Sequence, residues 1–256
     1  MGIRNGIYFH TIYYVTVYET FMFKSLLKKL SEFDGQPQSY EDKFFSNIVG
    51  YVDIKKLLLK SIMSKEPMSI LLTGPPGSSK TAFILEMLKG LDKVFFIDAT
   101  GATSAGIIDY LFRHDTKYLL IDEIDKMKPK DQAALLSVME TGIICETKLN
   151  GKTRRKKMDL WIFATSNDAD KLSGAIRSRF MELLLKEYSL EEFIHIVSIL
   201  LKKKYHLDEN ISEKIAFSVW NNMGSKDVRD AINIAKLAKS ADDVEWLVNT
   251  KVKYSK

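Results

Sequence analysis

Between Gly74 and Thr81 the chain reads GPPGSSKT, directly after the apolar run at residues 68–73 and directly before a helical pattern. A strand, a tight Gly-rich loop and a helix N-terminus together form an anion cradle. Backbone N–H groups converge there and the helix dipole adds partial positive charge. Gly74, Pro75, Pro76, Gly77, Ser78 and Ser79 are the expected cradle. Lys80 is the cation that reaches β- and γ-phosphates, and the Thr81 hydroxyl is a ligand for Mg²⁺. The strict pattern asks for Gly at position 79, where this chain has Ser. Ser79 can still lend its N–H if its φ is negative, and on that condition the cradle survives.

A second constellation is YLLIDEID, residues 118–125. Four apolar positions end in two acids at the C-terminal edge of a strand, the edge where open α/β sheets bind ligands. Asp122 is expected to complete the Mg²⁺ shell with Thr81. Glu123, one residue on, is expected to orient or deprotonate an attacking water.

These residues need a scaffold, and the pattern supplies one. Apolar runs of strand length occupy residues 68–73, 93–99, 117–122, 160–165 and 181–186. Helical periods fill 79–88, 105–112 and 129–140 between them, with Gly90 and Gly142 expected as C-terminal caps. Strands apolar on both faces and alternating with helices predict an α/β fold, a parallel sheet covered by helices on both sides. After residue 186 only helical periods remain, at 189–204, 211–221, 226–239 and 242–249. The expected layout is an N-terminal segment and linker at 1–43, an α/β core at 44–186 and an all-α domain at 187–256.

Composition agrees with a folded chain of one to two domains. The 256 residues are 46% hydrophobic and 28% charged, which excludes a disordered or low-complexity protein. The single cysteine, Cys145, excludes an intramolecular disulfide and a Cys-rich zinc site. His10, His114, His195 and His206 share no ligand spacing. A reducing, cytoplasmic setting follows as the expectation. The net charge of +5 permits contact with nucleic acid without requiring it. Residues 7–23 are dense in aromatic and β-branched side chains. They fall short of the roughly 20 apolar residues of a membrane span and include His10 and Glu19, so a strand is the better reading. Met22 offers a second start, and residues 1–43 are assigned no role.

In their order, GPPGSSKT, LLIDEID, FATSN and AIRSRF resemble an AAA+ ATPase, over roughly residues 44–249. The resemblance implies the P-loop NTPase sheet with a C-terminal helical lid, and ATP and Mg²⁺ as ligands. It also assigns residues. Val49 and Gly50, in FSNIVGY, match the adenine-contacting segment. Asn167 matches sensor 1, a polar group near the γ-phosphate. Arg179, with Arg177 as competitor, matches the arginine finger that acts on a neighbouring subunit's nucleotide. Arg229 matches sensor 2.

Asn150-Gly151 is a hairpin turn signal between candidate strands 143–149 and 152–160. A hairpin just before sensor 1 resembles the AAA+ branch of RuvB-type branch-migration motors, MCM helicases and MoxR-type chaperones. The segment at 98–111 also looks RuvB-like. The resemblance ends before the winged-helix domain that follows the lid in RuvB. The hairpin concentrates charge in Lys148, Lys152, Arg154, Arg155, Lys156 and Lys157. Such a ribbon suits phosphates of DNA in a ring's pore, and equally a solvated face or a protein-docking surface. The expected function is a RuvB-like ATP-hydrolysing motor, a hexameric ring remodelling DNA. A replication-type loader or clamp-loader switch and a MoxR-type protein-remodelling chaperone are the rivals.

Overall fold

The computed structural model describes residues 44–147 and 153–255. The expectations for residues 7–23, for the linker at 31–43 and for the hairpin tip with Lys148, Asn150, Gly151 and Lys152 fall outside them. The described elements begin with α1 (Val52–Ile62), β1 (Ser69–Thr73), α2 (Lys80–Gly90), β2 (Val94–Asp98), α3 (Ser104–Arg113) and β3 (Tyr118–Asp122). Next come α4 (Pro129–Thr141), β4 (Ile143–Thr147), β5 (Thr153–Lys157), β6 (Trp161–Ser166), the short α5 (Gly174–Arg177) and β7 (Met181–Leu184). Four helices close the chain: α6 (Leu190–Tyr205), α7 (Glu209–Asn221), α8 (Val228–Ala235) and α9 (Ala241–Tyr254).

The main sheet runs β2-β3-β6-β1-β7 with every neighbouring pair parallel. Sequence order does not reveal that β6 lies between β3 and β1. Ile121 is level with Ala164, and Ala164 with Leu71. The acids after β3, the FATSN end of β6 and the loop after β1 therefore emerge side by side. Leu71, Leu119, Ile121, Ile162 and Ala164 from these strands pack with Ile107 and Leu111 of α3 and with Leu135 and Val138 of α4. A second apolar cluster joins the last four helices through Phe193, Val197, Ile215, Val219, Ala231, Val244 and Val248. Each buried Val, Leu, Ile or Phe among them contributes about 1.5–3 kcal/mol of transfer free energy.

Gly142 ends α4 in the left-handed region, φ 66°, as expected of a C-cap. Gly90 does not do so. It is the last helical residue of α2, and the cap is Leu91 in extended conformation. The glycine is needed for closeness instead, since a Cβ there would stand 2.5 Å from the Phe44 ring. Helix α1 was not expected. Its start carries no side-chain cap, and Gly50 and Tyr51 turn the chain at φ 76° and 53°, so no Ser or Asp signals it. Among the described residues no helix is long and apolar enough to cross a membrane.

Candidate nucleotide-binding site

The loop after β1 turns through Gly74 at φ 145° and Gly77 at φ 83°. Both are confined. A Cβ on Gly74 would meet the Leu185 carbonyl oxygen at 2.2 Å, and one on Gly77 would stand 3.1 Å from the Cα of Asp227. Ser79 does not meet the condition set for it: its φ is 65°, left-handed rather than negative. That conformation costs an L-residue about 1–2 kcal/mol. Its hydroxyl lies 2.8 Å from the Tyr188 hydroxyl. Lys80 points into the loop and donates to the carbonyls of Gly74 and Pro75 at 2.7 and 2.6 Å, and to Ser78 Oγ at 3.2 Å. Burial pushes its pKa down to about 8, against the pull of Asp122 and Asp125.

The expected acids gather opposite. Asp122 Oδ1 accepts from Thr81 Oγ1 at 3.1 Å and from Thr165 Oγ1 at 2.5 Å. Thr165 Oγ1 in turn accepts the Glu123 backbone N–H at 2.9 Å. Glu123 takes φ 53°, and its Oε1 accepts from Asn167 Nδ2 at 3.2 Å. The Asn167 backbone N–H donates to buried Asp125 at 3.2 Å. Lys80, Thr81, Asp122, Glu123 and Asn167 thus converge as expected. Thr165 and Asp125 were not singled out. Their signal was polarity out of place: Thr165 is the next-to-last residue of a fully buried strand, and Asp125 is a buried third acid two residues after the DE pair.

Among the described residues no group of three His, Cys, Asp or Glu side chains could hold a metal. The hydroxyl of Thr81 and the carboxylate of Asp122 fit Mg²⁺. That ion needs only one or two protein oxygens when phosphate and water supply the others.

Arg229 stands at the start of α8, with its guanidinium on Asp227 at 2.7–3.1 Å. This hydrogen-bonded carboxylate raises its pKa. Because Asp227 touches Gly77, the start of α8 abuts the loop. Val49 packs against the helical cluster, and Asn47 nearby donates to Glu86 of α2 at 2.9 Å, which ties the 44–51 segment to the site. Arg179 is not brought into the cluster. It precedes β7, whose Met181 pairs with Ile70 at the start of β1, whereas the loop follows the far end of β1. Its guanidinium bonds the Ala175 carbonyl at 2.7 Å and Glu140 at 2.8 Å. Arg177 is held by Asp170 and Glu182 at 2.6 and 2.9 Å.

The basic hairpin is divided by its own pleat. In the antiparallel β4–β5 ladder Glu146 faces Arg154 and Cys145 faces Arg155. Arg154 pairs with Glu146 and Asp109 at 2.5 and 3.1 Å, and its guanidinium lies 4.1 Å from the Phe112 ring centroid. Lys156 Nζ donates to the carbonyls of Leu111 and His114 at the end of α3, at 2.7 and 2.8 Å. These two cations anchor the hairpin to α3, which corrects the expectation that all six belong to one open ribbon. Arg155 and Lys157 are exposed on the other face.

Residues 70–188 match the model of the AAA family, the ATPase family associated with various cellular activities. The matched stretch is a little under half of the chain, and over it the chain resembles an AAA domain. A mutant of RuvB from Thermotoga maritima superposes with a TM-score of 0.64 at 18% identity, covering 80% of this chain and 72% of that one. The Thermotoga maritima RuvB Holliday junction branch migration motor gives 0.59 at 18% identity, over 79% and 70%. The described chain therefore has the fold of RuvB, a parallel sheet flanked by helices with a helical C-terminal region. In sequence, the chain is 28% identical over 130 residues to the DNA replication licensing factor mcm2 of Xenopus tropicalis, 40% of this chain and 15% of that protein. It is 23% identical over 293 aligned positions to Lon protease 2 of Bacillus subtilis, 88% of this chain and 51% of that protein. The chain thus spans a seventh to a half of the length of these two relatives. The resemblance to the AAA family, together with this fold, implies nucleotide binding and hydrolysis in general.

Proposed function

We propose that the chain binds ATP with Mg²⁺ and hydrolyses it to ADP and phosphate, with sites shared between the subunits of a RuvB-like ring that remodels DNA. The observation that carries the nucleotide reading is the convergence of Lys80, Thr81, Asp122, Glu123 and Asn167 at the C-terminal edge of β1, β3 and β6. Thr81 and Asp122 would hold Mg²⁺, which supplies positive charge against the phosphates. Gly77, Ser78 and Ser79 offer backbone N–H groups, and Lys80 offers its ammonium to the β- and γ-phosphates. Glu123 accepts the proton of the attacking water as the water oxygen bonds to the γ-phosphorus and the bond to the bridging oxygen breaks. Asn167 holds the Glu123 carboxylate by the amide contact at 3.2 Å.

Arg179 supports the shared site. It lies toward the start of β1 and β7, away from its own chain's phosphate loop, so it serves a neighbour's nucleotide. A hexamer is the ring we propose, and the lone Cys145 suits the cytoplasm. DNA is the substrate that exposed Arg155 and Lys157 suit. A second reading, a protein-remodelling ATPase of the MoxR kind, is favoured by the same face, since Ile143 is 39% exposed there across the ladder from Lys157. ATPase rate measured with single-stranded DNA, branched DNA and neither separates the two. Stimulation by DNA supports the motor, and its absence with stimulation by a protein supports the second reading.

A further inference from the structure

Ser79 is where the phosphate loop departs from its strict pattern, and it adopts the left-handed backbone expected of the missing glycine. An L-residue keeps such a conformation only where its surroundings hold it. What stands beside Ser79 is Tyr188, with the two hydroxyls 2.8 Å apart. Tyr188 is buried, at 8% exposure. Its ring leans on Tyr51 with centroids 5.7 Å apart, and Tyr51 meets Phe83, in the first turn of α2, edge-on at 5.8 Å. The Tyr51 hydroxyl reaches the Ser78 carbonyl at 3.4 Å. Two phenols, one from before the loop and one from after β7, therefore enclose residues 78 and 79. Burial raises the pKa of both, so both remain neutral hydroxyls at physiological pH.

We propose that Tyr188 is a positioning residue for the nucleotide. Its hydroxyl holds Ser79 in the left-handed conformation from which the loop presents its N–H groups and Lys80 to phosphate. It does by a side-chain contact what glycine does by lacking a Cβ. Tyr188 lies two residues before α6, so the same contact ties loop geometry to the start of the helical region. The inference rests on the nucleotide reading above.

The test is equilibrium binding of a fluorescent ATP analogue to the full chain, with steady-state ATPase alongside. Tyr188→Phe and Ser79→Ala each remove the hydroxyl contact, and Ser79→Ala keeps the Cβ. Each should weaken binding about 3–10-fold, the scale of one net hydrogen bond, with the loss falling on KM rather than kcat. Combined, they should lose no more than either alone. In a Ser79→Gly background, where no Cβ is strained, Tyr188→Phe should change affinity by less than about twofold. Equal losses from Tyr188→Phe in the parent and Ser79→Gly backgrounds, or no loss in the parent, would overturn the proposal. If Tyr188→Phe does not fold, Ser79→Ala must bind more weakly than Ser79→Gly, and equal affinities overturn it. A parent protein that fails to bind the analogue instead overturns the nucleotide reading itself.

Discussion

The nucleotide site and the β4–β5 hairpin both stand out in the sequence, one by motif and the other by charge, and the fold treats them differently. At the site, nearly every residue that the spacing singled out arrives beside the others. At the hairpin, neighbouring cations part company: Arg154 and Lys156 are bound to α3, while Arg155 and Lys157 face outward. The difference has a physical origin. A phosphate cradle is local, because a strand, a loop and a helix contiguous in sequence must close on one anion. A charge run on a strand alternates between two faces with a period of two, and the partner on each face comes from elsewhere in the chain.

The comparison would be sharpened most by Arg179. Arg179→Ala should retain ATP binding and lose turnover by about 10³–10⁵-fold. Mixing it with Glu123→Gln subunits should restore part of the rate, from sites that combine an intact Glu123 with a neighbour's Arg179. Full turnover by a demonstrably monomeric sample would break the shared site. Glu123→Gln alone should slow hydrolysis by about 10²–10⁴-fold while ATP stays bound, as rapid-quench turnover would show. A parent-like rate would remove Glu123 from its role.

A pH series probes Lys80. Its pKa in the free protein is lowered to about 8, so its ammonium is intact below that pH and is lost as pH rises above it. ATP binding should weaken with rising pH, approaching tenfold per unit well above pH 8. Lys80→Arg should flatten that slope, because guanidinium does not titrate in this range. An unchanged slope in Lys80→Arg would assign the titration to another group.

The smallest effects belong to the hairpin. Replacing Arg155 and Lys157 by Ser should lower the log–log salt slope of DNA binding by about 0.7–0.9 for each phosphate that is no longer neutralised. Arg154→Ala should instead loosen the hairpin from α3 and lower Tm by a few degrees, as a thermal melt would register. An equal change of salt slope from Arg154→Ala and Arg155→Ala would erase the distinction between the two faces.

How much was legible in advance differs by element. The sheet strands were readable to within a residue or two at most ends, since each is an apolar run bounded by loop signals. Helix α1 escaped because its entry rests on left-handed Gly50 and Tyr51 rather than on a capping side chain. Thr165 escaped because a lone threonine in a strand has no chemistry until Asp122 and the Glu123 N–H are set beside it. Ser79 was recognised as a departure from pattern, but its φ could not be read, because Tyr188 lies more than a hundred residues away along the chain.

The sequence by itself determined the parallel α/β class and the helical C-terminal region, and it singled out residues 74–81, Asp122 and Glu123 as candidates, with Asn167 added by the resemblance. The class, the cradle and the acid pair follow from local periodicity and from motifs whose residues lie within a few positions of one another. Tertiary structure decided that β6 lies between β3 and β1, that Arg179 stands apart from its own phosphate loop, and that Arg154 and Lys156 serve packing. It also decided that a tyrosine from beyond the sheet touches the loop. Strand order, sheet edge and the far side of a contact depend on long-range packing, which no local spacing encodes.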